Sequence, residues 1–230
     1  MQNALPHATP NAHAPTLKYC GLTRPEDARY AAELGAAYVG CIFAGGPRLV
    51  AAEQARGIAA VVREAAVRVV GVMGDLDARA VANLGQAAAL DIVQLHADPD
   101  AASVAAVRRH WSGGVWAVVR VRGSVLPAHT ESLFDVADAV VLDARVDGGM
   151  LGGNGVALPW AALADALAPL RGRAPLVLAG GLRPENVGAA VAALAPDVVD
   201  VSSGVERAPG LKDHTRMAAF AAAARQLVVL

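Results

Sequence analysis

The chain has 230 residues, 55% of them apolar and 18% charged, with a formal net charge of −1. That is enough apolar material for one large core and too little positive charge for a general nucleic-acid surface. Two cysteines are too few for a disulfide framework, which favours a reducing compartment, and no apolar run is long enough to span a bilayer. The expectation is a cytoplasmic protein, monomer or homodimer, that engages neither nucleic acid nor membrane.

Residues 1–16 are rich in Pro, Asn, His and Ala and lack the basic start and apolar stretch of a signal peptide, so they read as a flexible extension. Residues 17–230 read as one domain. Strand-like runs fall at 17–20, 38–43, 67–73, 91–96, 115–121, 138–143, 176–179 and 198–202. Helix-like segments lie between them at 25–34, 51–64, 77–89, 98–110, 127–136, 160–168, 184–194 and 213–226. Such alternation implies parallel strands joined by right-handed crossovers, and eight units imply a closed (β/α)8 TIM barrel. The competing architecture is an open doubly wound sheet. No Gly-x-Gly-x-x-Gly follows the first strand, however, and polar residues end several strands, as at a barrel mouth.

The first strand ends in Lys18-Tyr19-Cys20-Gly21, then turns into a helix, with Thr23 as expected N-cap, Pro25 in the first turn and Glu26 completing a capping box. A thiol at a strand end in an α/β fold sits where chemistry is placed, although free cysteines are also common core fillers. Lys18 shares a strand face with Cys20 and would favour its thiolate, or would serve the barrel floor. Cys41 lies inside a strand and reads as packing, as do Trp111, Trp116 and Trp160. Asp143 closes a buried-looking strand and reads as an acid facing the mouth, with a loop cap as the other reading. Asp147, nearby, reads as solvated.

Gln94 and His96 share one face of the fourth strand, and Asp200 and Ser202 share one face of the eighth. For His96 a structural role stays open beside a role in the site. Gly180 and Gly181 follow the seventh strand, and Ser202, Ser203 and Gly204 the eighth. Paired turns of this kind let backbone N–H groups meet a phosphate. Arg48, after Gly45-Gly46-Pro47, could clamp a carboxylate, but from residue chemistry alone a surface arginine is the better reading. The six histidines show no zinc-like spacing, so no metal is expected.

In order, the stretches Lys18-Tyr19-Cys20-Gly21-Leu22-Thr23, Gly46-Pro47-Arg48, Val93-Gln94-Leu95-His96, Val141-Leu142-Asp143, Gly152-Gly153-Asn154-Gly155, Leu178-Ala179-Gly180-Gly181-Leu182 and Asp200-Val201-Ser202-Ser203-Gly204-Val205-Glu206, then Pro209-Gly210 and Lys212-Asp213, resemble the phosphoribosylanthranilate isomerases. The resemblance implies a barrel that performs an Amadori rearrangement in tryptophan biosynthesis with no cofactor. It implies Cys20 as general base with a lowered pKa and Asp143 as general acid with a raised one. It moves Arg48 to the anthranilate carboxylate and Asp200 to the sugar. It places Gln94, His96 and Gly155 at the substrate, and Gly180, Gly181, Ser202, Ser203 and Gly204 at the phosphate.

Three positions depart from that family's pattern. Ala44-Gly45-Gly46 replaces a segment that usually carries Ser before Pro-Arg, Leu158-Pro159-Trp160 stands where Phe-Asp-Trp is usual, and Ala97 replaces a Gly. The first two lie in loops expected to cover the substrate, which keeps open a non-catalytic sugar-phosphate-binding barrel. Indole-glycerol-phosphate synthase, which works with a strand-borne lysine and glutamate, finds no such pair at the expected strand ends.

Overall fold

The computed structural model describes residues 14–144 and 159–226; most of the expected extension and the Gly-rich segment at 152–155 lie outside them, as do Asp147 and Leu158. Short, valine-rich runs form eight strands: β1 (Thr16–Tyr19), β2 (Tyr38–Ile42), β3 (Arg68–Met73), β4 (Ile92–Leu95), β5 (Gly114–Val121), β6 (Ala139–Ala144), β7 (Leu176–Leu178) and β8 (Val198–Val201). They close into a barrel in sequence order. All neighbours are parallel, and the seam pairs β1 with β8 at Lys18↔Asp200.

Alanine-rich helices wrap the outside: α1 (Pro25–Glu33), α2 (Ala52–Val62), α3 (Ala78–Ala87), α4 (Ala101–Arg108), α5 (Thr130–Val136), α6 (Trp160–Leu167), α7 (Val187–Leu194) and α8 (His214–Arg225). The two-residue side-chain period of each strand splits the core into two layers. In β6, Val140 and Leu142 join the layer between sheet and helices, while Val141 joins the smaller cluster inside the barrel with Val70, Ile92, Trp116 and Val177. Parallel strands covered on both faces are largely apolar on both; the inner face departs from this at Lys18, Gln94 and Asp200.

One device recurs at the barrel floor. Asp91, Asp138 and Asp197 each stand just before an even-numbered strand, and each accepts the backbone N–H at the start of the preceding strand: Val69, Val115 and Leu176, all at 2.7 Å. These carboxylates satisfy donors that the staggered strand starts would leave unpaired. Strand-like composition around Asp91 and Asp138 places both inside strands when read from sequence; the structure puts them one residue ahead.

Helix starts shift for local reasons. Asp98 adopts φ +47° and Asp100 caps Ser103, so α4 begins at Ala101 rather than Asp98. Thr130 donates its hydroxyl to the Pro127 carbonyl, and α5 starts there. Asn186 accepts the Arg183 N–H, and α7 starts at Val187, not Pro184. The expected capping box of α1 does not form: Arg24 is the N-cap without a side-chain bond, and Thr23 turns away to donate to Gly210 at 2.6 Å. Pro25 does sit in the first turn. Gly210 lies in the turn of a short antiparallel pair, β9 (Glu206–Ala208) and β10 (Leu211–Lys212), too brief to leave a pattern in sequence.

Removing the Asp197 carboxylate should destabilise the fold. Asp197→Ala leaves the Leu176 N–H without its acceptor and is expected to lower unfolding free energy by about 1–3 kcal/mol in urea titration, with Asp197→Asn costing less. Equal loss in the two variants would show that hydrogen-bond acceptance is not what this position supplies.

Candidate active site

At the C-terminal ends of the strands a cavity of about 260 Å³ opens. Cys20, His96, Asp143 and Asp200 reach it from four strand ends, joined by Gln94 and by Arg48 from the loop after β2. Gly180, Gly181, Ser202 and Ser203 complete one side. Of the residues expected from sequence, Gly204 does not line the cavity, and Gly155 lies outside the described residues.

Beneath the cavity, Lys18 is fully buried and points into the barrel. Its Nζ donates to Asp200 Oδ2 at 2.6 Å and to Gln94 Oε1 at 3.1 Å, and lies 5.9 Å from the centre of the Trp116 ring. Burial, the largest single effect, would lower the lysine pKa; Asp200 and Cys20 together more than offset it, and the net shift is upward, so Lys18 is a cation. Asp200 is thereby held by one oxygen, while Oδ1 is buried without a partner among the described residues. Trp116 and Trp111 are core residues as expected, the latter donating its indole N–H to Gly114.

Cys20 stands one side-chain step above Lys18. Burial pushes its thiol up, Lys18 pulls it down, and burial wins. The expected lowering is therefore not found: desolvation outweighs the neighbouring ammonium, and the thiol is neutral at neutral pH. Gly21 follows at φ +70°, where a Cβ would stand 2.7 Å from Arg48 Cδ and 2.9 Å from Ser202 Oγ. Glycine here lets the arginine stem lie against the backbone beside the thiol. Cys41, buried one strand away, has its thiol raised to about 12 by burial and is a packing residue.

Asp143 is 8% exposed, and its pKa is pushed up to about 6 by burial and by the negative Asp200. Its Oδ1 accepts the Ala144 N–H. Gly180 approaches so closely that a Cβ there would meet Asp143 Oδ1 at 2.8 Å. His96 Nε2 lies 3.8 Å from Asp143 Oδ2, beyond hydrogen-bond reach. Burial and nearby cations lower the imidazole to about 4, so His96 is neutral, with Nδ1 buried and unpaired among the described residues. Ser202 Oγ is in the same condition. Of the four buried side-chain polar atoms without partners among the described residues, Trp160 Nε1 lies away from the cavity and the other three are on cavity-lining residues, where a ligand would supply the missing hydrogen bonds.

Arg48 is not a surface arginine. Its side chain is 13% exposed and forms a two-pronged pair with Glu206, Nε at 2.9 Å and Nη2 at 2.7 Å. Glu206 also receives Lys212 Nζ at 2.9 Å, and that ammonium, fully buried, donates again to the Ser202 carbonyl. Glu206 and Lys212 carried no role in the sequence reading beyond the resemblance. A lone Glu and a lone Lys flanking a turn give no sign that they fold back on a loop 158 residues away. The short turn after β8 spans Ser203–Val205, and the first N–H groups of such a turn have no partner within it.

No helix among the described residues is long and apolar enough to cross a membrane.

The family model for N-(5′-phosphoribosyl)anthranilate isomerase matches residues 17–223. An N-(5′-phosphoribosyl)anthranilate isomerase of Pseudomonas fluorescens is 38% identical over 209 residues, covering 90% of this chain and 97% of the relative. One from Methanopyrus kandleri is 37% identical, covering 92% and 99%. Among solved structures, phosphoribosylanthranilate isomerase from Thermotoga maritima superposes with a TM-score of 0.78 at 30% identity, covering 93% of this chain and 100% of that one. A phosphoribosylanthranilate isomerase in complex with reduced 1-(o-carboxyphenylamino)-1-deoxyribulose 5-phosphate superposes at 0.75, at 30% identity and with the same coverage.

The raised thiol has a direct readout. Thiolate absorbance that disappears in Cys20→Ser should emerge only above the ordinary cysteine range, and Lys18→Met should delay it further. A thiolate present at neutral pH in the ligand-free protein would contradict the dominance of burial.

Proposed function

Because the chain belongs to the N-(5′-phosphoribosyl)anthranilate isomerase family, we propose that residues 17–230 form one isomerase domain in which Asp143 is the general acid and Cys20 the general base of an Amadori rearrangement. The observation that carries this reading is one cavity receiving a carboxyl raised to about 6 and a thiol beside a buried ammonium, on β6 and just after β1.

Protonated Asp143 gives its proton to the ribose ring oxygen. The C1′–O bond breaks, and the anthranilate nitrogen lone pair forms a C1′=N cation. Cys20 as thiolate takes the C2′ proton; the C–H electrons become a C1′=C2′ bond and neutralise the imine. The enolamine then loses its O2′ proton and gains one at C1′, giving 1-(2-carboxyphenylamino)-1-deoxyribulose 5-phosphate. Lys18 stabilises the thiolate while it exists, and the cationic imine acidifies the carbon beside it. Asp200 Oδ1 accepts from a sugar hydroxyl, with Gln94 and His96 as further contacts. Gly180, Gly181, Ser202, Ser203 and Gly204 hold the phosphate through N–H and hydroxyl donors, and Arg48 meets the carboxylate. Gly155 is proposed at the substrate on family resemblance alone.

The working state needs Asp143 protonated and Cys20 ionised, the reverse of their order of acidity. Between the two pKa values this pair is a small, constant fraction. Below about pH 6, Asp143 fills with protons anyway, and the thiolate fraction falls about tenfold per pH unit. kcat/KM, which follows the free enzyme's ionisations, should therefore decline on the acid side of about 6.

Loss of phosphoribosylanthranilate fluorescence measures turnover. Cys20→Ser and Asp143→Asn are each expected to lower kcat by about 10²–10⁴-fold. Wild-type turnover in both variants would refute the assignment. A wild-type protein that binds the reduced product analogue and converts no substrate would favour the sugar-phosphate-binding barrel instead.

A further inference from the structure

We infer that Glu206, braced by Lys212, is the positioning residue that aims Arg48 at the carboxylate of the substrate; this rests on the proposed role of Arg48. The backbone beside Arg48 is held, by the Leu49 N–H on the Gly46 carbonyl and the Val50 N–H on the Ile42 carbonyl, so the freedom that remains is that of the arginine side chain. Gly45 and Gly46, which precede Pro47, offer no side chains as anchors, and the arginine stem lies against the bare backbone of Gly21. A long side chain so placed has many rotamers, and ordering it on binding would weaken affinity.

Glu206 removes that freedom in advance. It takes up Nε and Nη2 together, which fixes the plane of the guanidinium and leaves the Nη1 end outside the pair. Glu206 is itself held from the other side, by Lys212 Nζ at 2.9 Å and the Gly210 N–H at 3.4 Å. Lys212 is anchored in turn on the Ser202 carbonyl at 3.0 Å, at the end of β8. A chain of contacts thus ties the carboxylate-binding loop to the same strand end that carries the serines of the phosphate side. Arg48 and Lys212 share the single Glu206 carboxylate, so even with burial lowering the Lys212 pKa the cluster carries no net negative charge to repel an anionic substrate.

A different role for the same geometry would make Glu206 a competitor that occupies Arg48 until substrate displaces it. The two roles predict opposite signs. Binding is measured with two probes: the reduced product analogue, and its anilino counterpart without the carboxyl group. For positioning, Glu206→Gln weakens the carboxylated probe about tenfold, as Arg48→Ala does, and changes the anilino probe less than about twofold, while Glu206→Asp recovers part of the loss. Lys212→Met gives the same pattern at smaller size.

Tighter binding of the carboxylated probe by Glu206→Gln would establish competition and overturn the inference. Equal weakening of both probes would reduce Glu206 to a general prop and overturn it too. If Arg48→Ala weakens the carboxylated probe and Glu206→Gln does not, the inference fails alone. If Arg48→Ala leaves that probe unaffected, the proposed role of Arg48 fails as well.

Discussion

The ion pair between Lys18 and Asp200 is the constraint on which this molecule turns. The two residues face each other across the seam where the last strand meets the first, in register and 2.6 Å apart. Neither charge could stay inside an apolar barrel alone. Together, with Gln94 from the opposite wall and the Trp116 ring nearby, they form a polar layer between the apolar floor cluster and the mouth, paired except at Asp200 Oδ1. Closing the barrel and assembling this layer are one event, because the seam strands carry the pair.

That layer sets the electrostatics of everything above it. Lys18 exerts the largest cationic pull on Cys20, ahead of Lys212, and Asp200 is among the groups that raise Asp143. The same pair pulls the thiol toward ionisation and pushes the carboxyl toward protonation, which are the states the proposed chemistry requires. In the ligand-free site, burial defeats the first of these effects and reinforces the second. The proton order is therefore reversed at rest, and the site draws on a small productive fraction. Asp200 meanwhile keeps one oxygen for the ligand, since Lys18 occupies the other.

Much of this was legible in the chain itself. Valine-rich runs at regular intervals marked every barrel strand to within a residue or two, because strands covered on both faces are largely apolar. Two-residue periodicity put Lys18 with Cys20, and Gln94 with His96, on one face: Gln94 and His96 both line the cavity, and Lys18 lies beneath it, near enough to Cys20 to pull its thiol down. Boundaries set by side-chain chemistry were harder. Thr23 looks like a cap, yet its hydroxyl goes to Gly210, a partner 187 residues away. Asp91, Asp138 and Asp197 look like strand or turn residues until a neighbouring strand supplies the N–H they accept. Arg48 reads as a surface cation because Glu206, its partner, is distant in sequence. The thiol's direction was missed for a related reason: the attraction of Lys18 is visible in a two-residue spacing, but the desolvation that beats it depends on the whole closed barrel.

A crystal structure of this protein with the reduced product analogue bound tests the central claim most directly. The account predicts C2′ within about 3–3.5 Å of Cys20 Sγ, the former ring oxygen facing Asp143, and a sugar hydroxyl on Asp200 Oδ1 with the Lys18 pair intact. An analogue that turns C2′ away from Cys20, or that draws Asp200 off Lys18 on binding, would contradict it.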